Sequence, residues 1–337
     1  MRHINIPIFI PHLGCPNDCV FCNQRTISGK SNFELSSVDR EISTALSGID
    51  KDECEVEIAF FGGSFTGIDR ELMKALLNKA DGYVSEGKVD SIRLSTRPDY
   101  IDEEILDILS RHKVTDIELG IQSVCDAVLR ACKRGHTAEQ SDRACCLIKE
   151  YGFNLVGQMM IGLPCSTPED EINTAEFIVK AGADGARIYP LIVFANTELD
   201  RMSSGGLYTV LSEDETVERS ANALDIFARN DVRVLRIGLC AQDGFDSEDT
   251  VTHGRFDPAI GEKVQNELFL RRISEQLDKT TDSLAGKTVS VCIPMGATSK
   301  VVGHKRRNIE KLRSKYGINA LKIIEKTDVI GYNILIV

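Results

Sequence analysis

The sequence predicts an α/β chain: a partial (β/α)6 barrel with a C-terminal extension and a small basic α/β domain. Two observations predict it. Apolar, β-branched runs alternate with helix-period segments about every 30 residues, an order that calls for parallel strands joined by helical crossovers. Charge then changes sign near the end, where nine Lys/Arg and two Glu between Lys300 and Lys326 give a net of +7 on a chain of −11.

Taken in order, residues 4–10 read as a buried strand, with Pro7 tolerable at a sheet edge. Ser36 or Ser37 is placed to cap a helix reaching about Ser47. A strand over 55–61 ends in Gly62-Gly63-Ser64-Phe65-Thr66-Gly67, where adjacent glycines let backbone approach a ligand or simply turn into a helix. Alternation continues as helix 69–84, strand 90–96, helix 102–112, strand 116–122, helix 137–151, strand 154–161, helix 168–181 and strand 185–194. Thr137-Ala138-Glu139-Gln140 has the form of a capping box. Six such units make an incomplete barrel, with ligands expected at the carboxyl ends of the strands.

A helix over 212–230 and a strand over 232–239 follow the barrel, then a stretch without periodicity from Cys240 to Thr252 and a helix over 258–278. The polar segment Lys279 to Lys287 reads as a linker. Beyond it the pattern is strand 288–293, helix from about Asn308 to Tyr316, strand 320–325 and strand 331–337. The predicted domains are therefore 1–240, 241–286 and 287–337.

No apolar run approaches the roughly 18–20 residues of a membrane span. The first residues lack a signal-peptide core, so a cytoplasmic protein with reduced thiols among its 11 cysteines is expected. The net negative charge argues against nonspecific coating of nucleic acid.

The densest chemical signal is Cys15-Pro16-Asn17-Asp18-Cys19-Val20-Phe21-Cys22. Thiolates suit iron–sulfur clusters and zinc, and this spacing lets one loop aim three sulfurs at one point. A cubane cluster held by three cysteines keeps one iron open to a non-protein ligand. The residues also leave open a zinc knuckle with His12 as fourth ligand, or three packed thiols.

With Phe21 before the last cysteine, this loop resembles the cluster loop of the radical S-adenosylmethionine (SAM) superfamily. The resemblance implies a [4Fe–4S] cluster on Cys15, Cys19 and Cys22, with SAM chelating the open iron and cleaved by one electron to a 5′-deoxyadenosyl radical. It implies an electron donor such as flavodoxin or ferredoxin, and an oxygen-sensitive centre suited to an anaerobic setting. Gly62 and Gly63 stand where the family binds the SAM amino group, with Ser64 where Glu is usual.

The strand-end strings extend the likeness. Thr96-Arg97-Pro98-Asp99-Tyr100 and Arg134-Gly135-His136-Thr137, with the rest of the chain from about Ile8 to Leu239, resemble the radical SAM domain of the Elongator catalytic subunit (Elp3-like), a wobble-uridine tRNA-modifying enzyme. More distantly they resemble oxygen-independent coproporphyrinogen oxidase, which implies SAM contacts from Gln122 and Arg134. It also implies a ribose contact at Gln158, where that enzyme has Asp. Ser95 likewise replaces a family Glu. The Elongator subunit's acetyltransferase domain is not expected within these 337 residues.

Near the end, Val301 to Leu312 resembles a KH module's Gly-x-x-Gly loop entering its helix, with Arg306 at the second glycine. Lys305, Arg306, Arg307, Lys311 and Lys315 are the candidate RNA contacts, and 307, 311 and 315 recur at helical spacing. The sequence thus points to a radical SAM enzyme acting on RNA, tRNA foremost. Its rivals are a radical SAM enzyme for a small molecule such as a tetrapyrrole, and a nonenzymatic zinc-binding RNA module. No further catalytic side chain is assigned.

Overall fold

The computed structural model describes residues 2–10, 13–15, 19–23, 26, 33–241, 244–247, 249–280 and 283–337. Its first eight strands are β1 (Arg2–Phe9), β2 (Cys54–Phe61), β3 (Ser91–Thr96), β4 (Val114–Gln122), β5 (Asn154–Ile161), β6 (Gly185–Pro190), β7 (Val193–Phe194) and β8 (Arg233–Ile237). All but β7 form one parallel sheet in the order β1-β2-β3-β4-β5-β6-β8. Strands of such a sheet are covered on both faces, so they read as apolar runs. Val56, Ile58, Ala59 and Phe60 of β2 are all buried.

The crossovers are α1 (Val38–Leu46), α2 (Arg70–Ser85), α3 (Glu103–Leu109), α4 (Asp126–Ala131), α5 (Ala138–Glu150) and α6 (Pro168–Lys180). After β7 come α7 (Glu198–Ser204) and α8 (Glu213–Arg229). The capping box at α5 forms as the sequence predicts: the Gln140 amide N–H donates to the Thr137 hydroxyl, and the Thr137 N–H to the Gln140 side chain. Ser37 differs from expectation. It occupies the N-cap of α1, yet its hydroxyl donates to the Glu34 carbonyl and to Glu41 instead of accepting from the helix.

Two further departures shape the barrel. The strand expected after the barrel, β8, pairs with β6 and becomes the seventh of the sheet. The strand expected over 185–194 breaks, because Pro190 has no N–H to continue the ladder. Val193 and Phe194 instead pair antiparallel with β9 (Val251–His253), which begins at the end of the stretch read as aperiodic.

The chain then enters α9 (Ile260–Asp278), followed by β10 (Thr288–Pro294), α10 (Thr298–Val302), α11 (Arg307–Tyr316), β11 (Ala320–Lys326) and β12 (Leu335–Ile336). The last three strands make a mixed sheet in the order β11-β10-β12. The strand expected over 331–337 shrinks to two residues, because Gly331 turns at φ +64° and Ile334 is buried beneath the sheet. Helix α9 has two apolar faces. Val264 and Leu268 belong to the barrel core, whereas Phe269, Leu270, Ile273 and Leu277 belong to that of the C-terminal sheet. Each such side chain contributes about 1.5–3 kcal/mol on burial. Among the described residues no helix is long and apolar enough to cross a membrane.

Candidate functional site

The cysteine loop leaves β1 and lies on the backbone that follows β2. Gly14 has φ +74°, and a Cβ there would overlap the Ser64 carbonyl oxygen; a Cβ on Gly67 would overlap that of Gly14. One on Gly63 would stand 2.7 Å from the Leu13 carbonyl. The glycines after β2 therefore serve first as a floor against which the loop's backbone packs without side chains between. Ser64 is buried beneath that floor, its hydroxyl 2.8 Å from Thr96 Oγ1. Thr96 in turn meets Thr66 Oγ1 at 2.5 Å, and Thr66 donates to the Tyr100 carbonyl.

Above the floor, Cys15, Cys19, Phe21, Cys22, Gly62, Gly63, Gln122, Arg134 and Gln158 all line one cavity of about 140 Å³. Ser64 is the cofactor-binding candidate that does not reach it. His12, the fourth ligand of a zinc knuckle, lies outside the described residues. Among the described residues, no three His, Cys, Asp or Glu side chains meet as a single-ion site; the cysteines instead share the cavity wall. Burial pushes the Cys15 thiol up, against the pull of the Arg134 and Arg97 guanidiniums.

Sequence spacing cannot show how Gln122 and Arg134 come together; a bulge does it. The β4–β5 register slips between Gly120 and Gln122, and Gln122 takes φ +66°. Two side chains after α4 seize the carbonyls of the bulge. Arg134 Nη2 donates to Gly120 O at 2.9 Å, and His136 Nε2 donates to Ile121 O at 3.2 Å. A Cβ on Gly120 would stand 2.7 Å from Arg134 Nη2 and 3.0 Å from Gln122 Nε2, so only glycine admits both. Burial, then the neighbouring Arg134 charge, pushes the His136 pKa down to about 3, and the ring is neutral. Arg134 also donates from Nη1 to Cys19 Sγ at 3.6 Å.

Arg97 escaped the sequence reading although it sits in a noted string. It is 1% exposed and also lines the cavity. Its Nε and Nη2 donate to the two Asp99 oxygens, each at 2.9 Å, and Nη2 donates to the Arg134 carbonyl at 2.6 Å. Arg97 Nη1, Arg134 Nε and Gln122 Oε1 are buried polar atoms with no hydrogen-bond partner among the described residues. Such orphans are rare in folded proteins and are satisfied when a polar ligand is present. Three soft thiol ligands facing this set of donors and an acceptor fit an iron–sulfur cluster with a polar, charged ligand beside it.

A second cavity of about 250 Å³ adjoins the first, sharing Phe21, Cys22, Gly62, Ser95, Gln122 and Gln158. Its walls are mostly apolar, with Phe9, Phe61, Met160, Leu191, Ile192, Phe194 and Leu239. Glu118, fully buried, anchors its base: Arg187 donates to both carboxylate oxygens at 2.7 and 2.8 Å, and Gln158 Nε2 donates at 2.8 Å. Arg93 joins Glu118 to Glu57 and Asp116. Burial raises the Glu57 carboxyl, but Arg93, with Ser91 and His3, more than offsets this and holds it below the usual range. Arg187 stacks over Phe61, 5.8 Å from the ring centre. Burial pushes the Tyr189 phenol beside it up to about 12. Gln158, where a ribose contact is expected, lines both cavities and is held in place by its bond to Glu118.

The five basic candidates lie on α11 and the turn that precedes it, all exposed. Lys305 and Arg306 take left-handed backbone at φ +50° and +66° before α11. Arg307 pairs loosely with Asp214 at 3.5 Å, and Lys315 with Asp278 at 3.2 Å.

Cysteines on a loop after the first strand of a parallel half-barrel, facing Gln and Arg at later strand ends, describe an enzyme of the radical SAM class. The chain belongs to the radical SAM superfamily, whose model matches residues 9–178, and the radical SAM C-terminal domain matches residues 183–269. The cofactors of that family are a [4Fe–4S] cluster and SAM. Among individual proteins, the chain is 28% identical over 195 residues to the tRNA uridine(34) acetyltransferase of Methanocaldococcus jannaschii, covering 52% of this chain and 36% of that protein. It is 29% identical over 190 residues to Elongator complex protein 3 of Homo sapiens, covering 50% and 35%. The match thus spans about a third of the length of these relatives. The solved structure of Methanocaldococcus infernus Elp3 with an N-terminal deletion shares the fold, with TM-score 0.63 and 22% identity over 82% of this chain and 64% of that one.

Proposed function

We propose that this radical SAM enzyme modifies RNA, with tRNA as its substrate. The observation that carries the reading is the exposed basic face of Lys305, Arg306, Arg307, Lys311 and Lys315 on a chain of net charge −11. Similarity to tRNA uridine(34) acetyltransferases supports it. Cys15, Cys19 and Cys22 would hold the cluster, which supplies the electron that splits SAM. Phe21, Gly62, Gly63, Gln122, Arg134 and Gln158 are the residues proposed to orient SAM, and the adjoining cavity is the place for the group to be modified. Flavodoxin or ferredoxin is the proposed electron donor. Cys15 and Cys22 are half-buried, so the loaded centre is expected to be oxygen-sensitive and to work in an anaerobic cytoplasm.

Binding of tRNA measured against salt tests the substrate. Each phosphate neutralised releases counterions, so affinity should fall steeply with salt for the parent. It should be largely lost in the Arg306→Glu, Arg307→Glu, Lys311→Glu variant. No binding by the parent at about 50 mM salt, or equal binding by the variant, refutes the RNA reading. The small-molecule enzyme would then stand, favoured by the apolar second cavity. Membership of the superfamily leaves no place for the zinc-module reading.

A further inference from the structure

We propose that Arg97, buried, and Asp99, half-buried, form an oriented ion pair that sets the reduction potential of the cluster. The inference rests on the assignment of Cys15, Cys19 and Cys22 as cluster ligands. Arg97 is 1% exposed and Asp99 15% exposed at its side chain, so neither charge is screened by water as a surface pair would be. The two are locked by the paired hydrogen bonds from Nε and Nη2. A third bond, from Nη2 to the Arg134 carbonyl, ties the pair to the segment that holds the bulge. The remaining nitrogen, Nη1, is buried without a partner, on a side chain that lines the cavity with the cysteines.

Orientation gives the pair its effect. Arg97 lines the cavity with the cysteines and Asp99 does not, so the positive end of the pair stands nearer the sulfurs. A cluster on three thiolates carries net negative charge. Reduction adds one electron from an external one-electron donor, making that charge more negative without breaking a bond. A positive end aimed at the sulfurs therefore favours the reduced form and raises the potential, which depends on net charge and on hydrogen bonds to the sulfurs. Arg134 reaches Cys19 directly; Arg97 adds a second guanidinium whose own carboxylate partner limits its strength.

The sign argument fixes an order. With Asp99→Asn the positive end stands alone and the potential rises above the parent. With Arg97→Gln the half-buried Asp99 carboxylate is left without its partner, and the potential falls to the lowest of the set. The double variant removes both ends and lies between Arg97→Gln and the parent. Arg97→Lys, which keeps the charge, stays near the parent.

The experiment is an anaerobic redox titration of the reconstituted full chain, without SAM, following the reduced cluster by electron paramagnetic resonance. Iron and sulfide content is measured first on each variant. A parent without iron would overturn the cluster assignment itself, a failure distinct from that of the ion pair. With clusters intact, the order Asp99→Asn, parent, double variant, Arg97→Gln supports the proposal. If Arg97→Gln fails to fold, Asp99→Asn against the parent and Arg97→Lys decides alone. A potential for Asp99→Asn at or below the parent overturns the proposal. So do equal potentials across the set with SAM affinity lost in Arg97→Gln, since Nη1 would then serve SAM and not the cluster.

Discussion

The cysteine cavity and the basic face of α11 are both rich in arginine, and they use it in opposite ways. In the cavity, Arg97 and Arg134 are almost fully buried, and each donor that has a partner is aimed at a fixed acceptor. On α11, Arg307 and Lys315 meet their acidic partners in water, at 3.5 and 3.2 Å. Charges of the first kind are specific and costly to disturb, because desolvation has already been met by particular partners. Those of the second kind are worth about 0–1 kcal/mol each and act by number. One region can recognise an atom, the other a field.

The largest effect should come from the cysteines. Ala at Cys15, Cys19 or Cys22 should reduce about four irons per chain to near none by iron assay. Ala at buried Cys54 or Cys292, remote from the cavity lining, should leave iron unchanged. Next comes the floor. Gly67→Ala forces its Cβ against the Gly14 carbonyl and should cost about 1–3 kcal/mol in denaturant unfolding. Gly82→Ala, with open space in α2, should be neutral or slightly stabilising. A floor variant as stable as the parent would mean that the loop does not rest on it.

Gln122→Ala should weaken SAM binding by about tenfold, read by calorimetry, with iron content intact. Arg134→Ala should weaken it further but also disturb the cluster, since Nη1 contacts Cys19. A smaller effect is set by pH. His136 has its folded pKa depressed to about 3, against an unfolded value of about 6.5. Between those values the unfolded chain binds the extra proton, so stability should be full above the upper value and fall as pH drops toward the lower. His136→Gln should flatten that decline in urea midpoints; an unchanged slope would remove His136 as its source. Smallest of all, Arg307→Ala should shift stability by no more than about 0.5 kcal/mol and lower the salt dependence of tRNA binding by about one phosphate.

Local features were legible in the sequence, and partnerships across the sheet were not. The strand over 154–161 and the capping box at Thr137 follow from patterns within a dozen residues. The three cysteines and the paired glycines could be placed for the same reason, being contiguous strings. Glu118, Arg187 and Gln158 form the base of the second cavity, yet Glu118 and Arg187 are 69 residues apart and the Glu118–Gln158 pair 40. Their one local signal was polar side chains inside apolar strands. The burial of Ser64 against Thr96 was not legible, because it depends on the neighbouring strand. The bulge at Gln122 likewise needs the carbonyl partners supplied by Arg134 and His136.

Helix α9 couples these two regions thermodynamically. Phe269, Leu270, Ile273 and Leu277 would meet water if the C-terminal sheet opened alone, so the sheet cannot melt without stripping a helix that also closes the barrel. A ligand that binds only the folded chain adds its binding free energy to whatever unit unfolds as one. An anionic partner held on α11 should therefore raise the melting temperature of the barrel as well, in a single transition. A partner bound at one end of the chain would then also hold the cavity at the other end against unfolding.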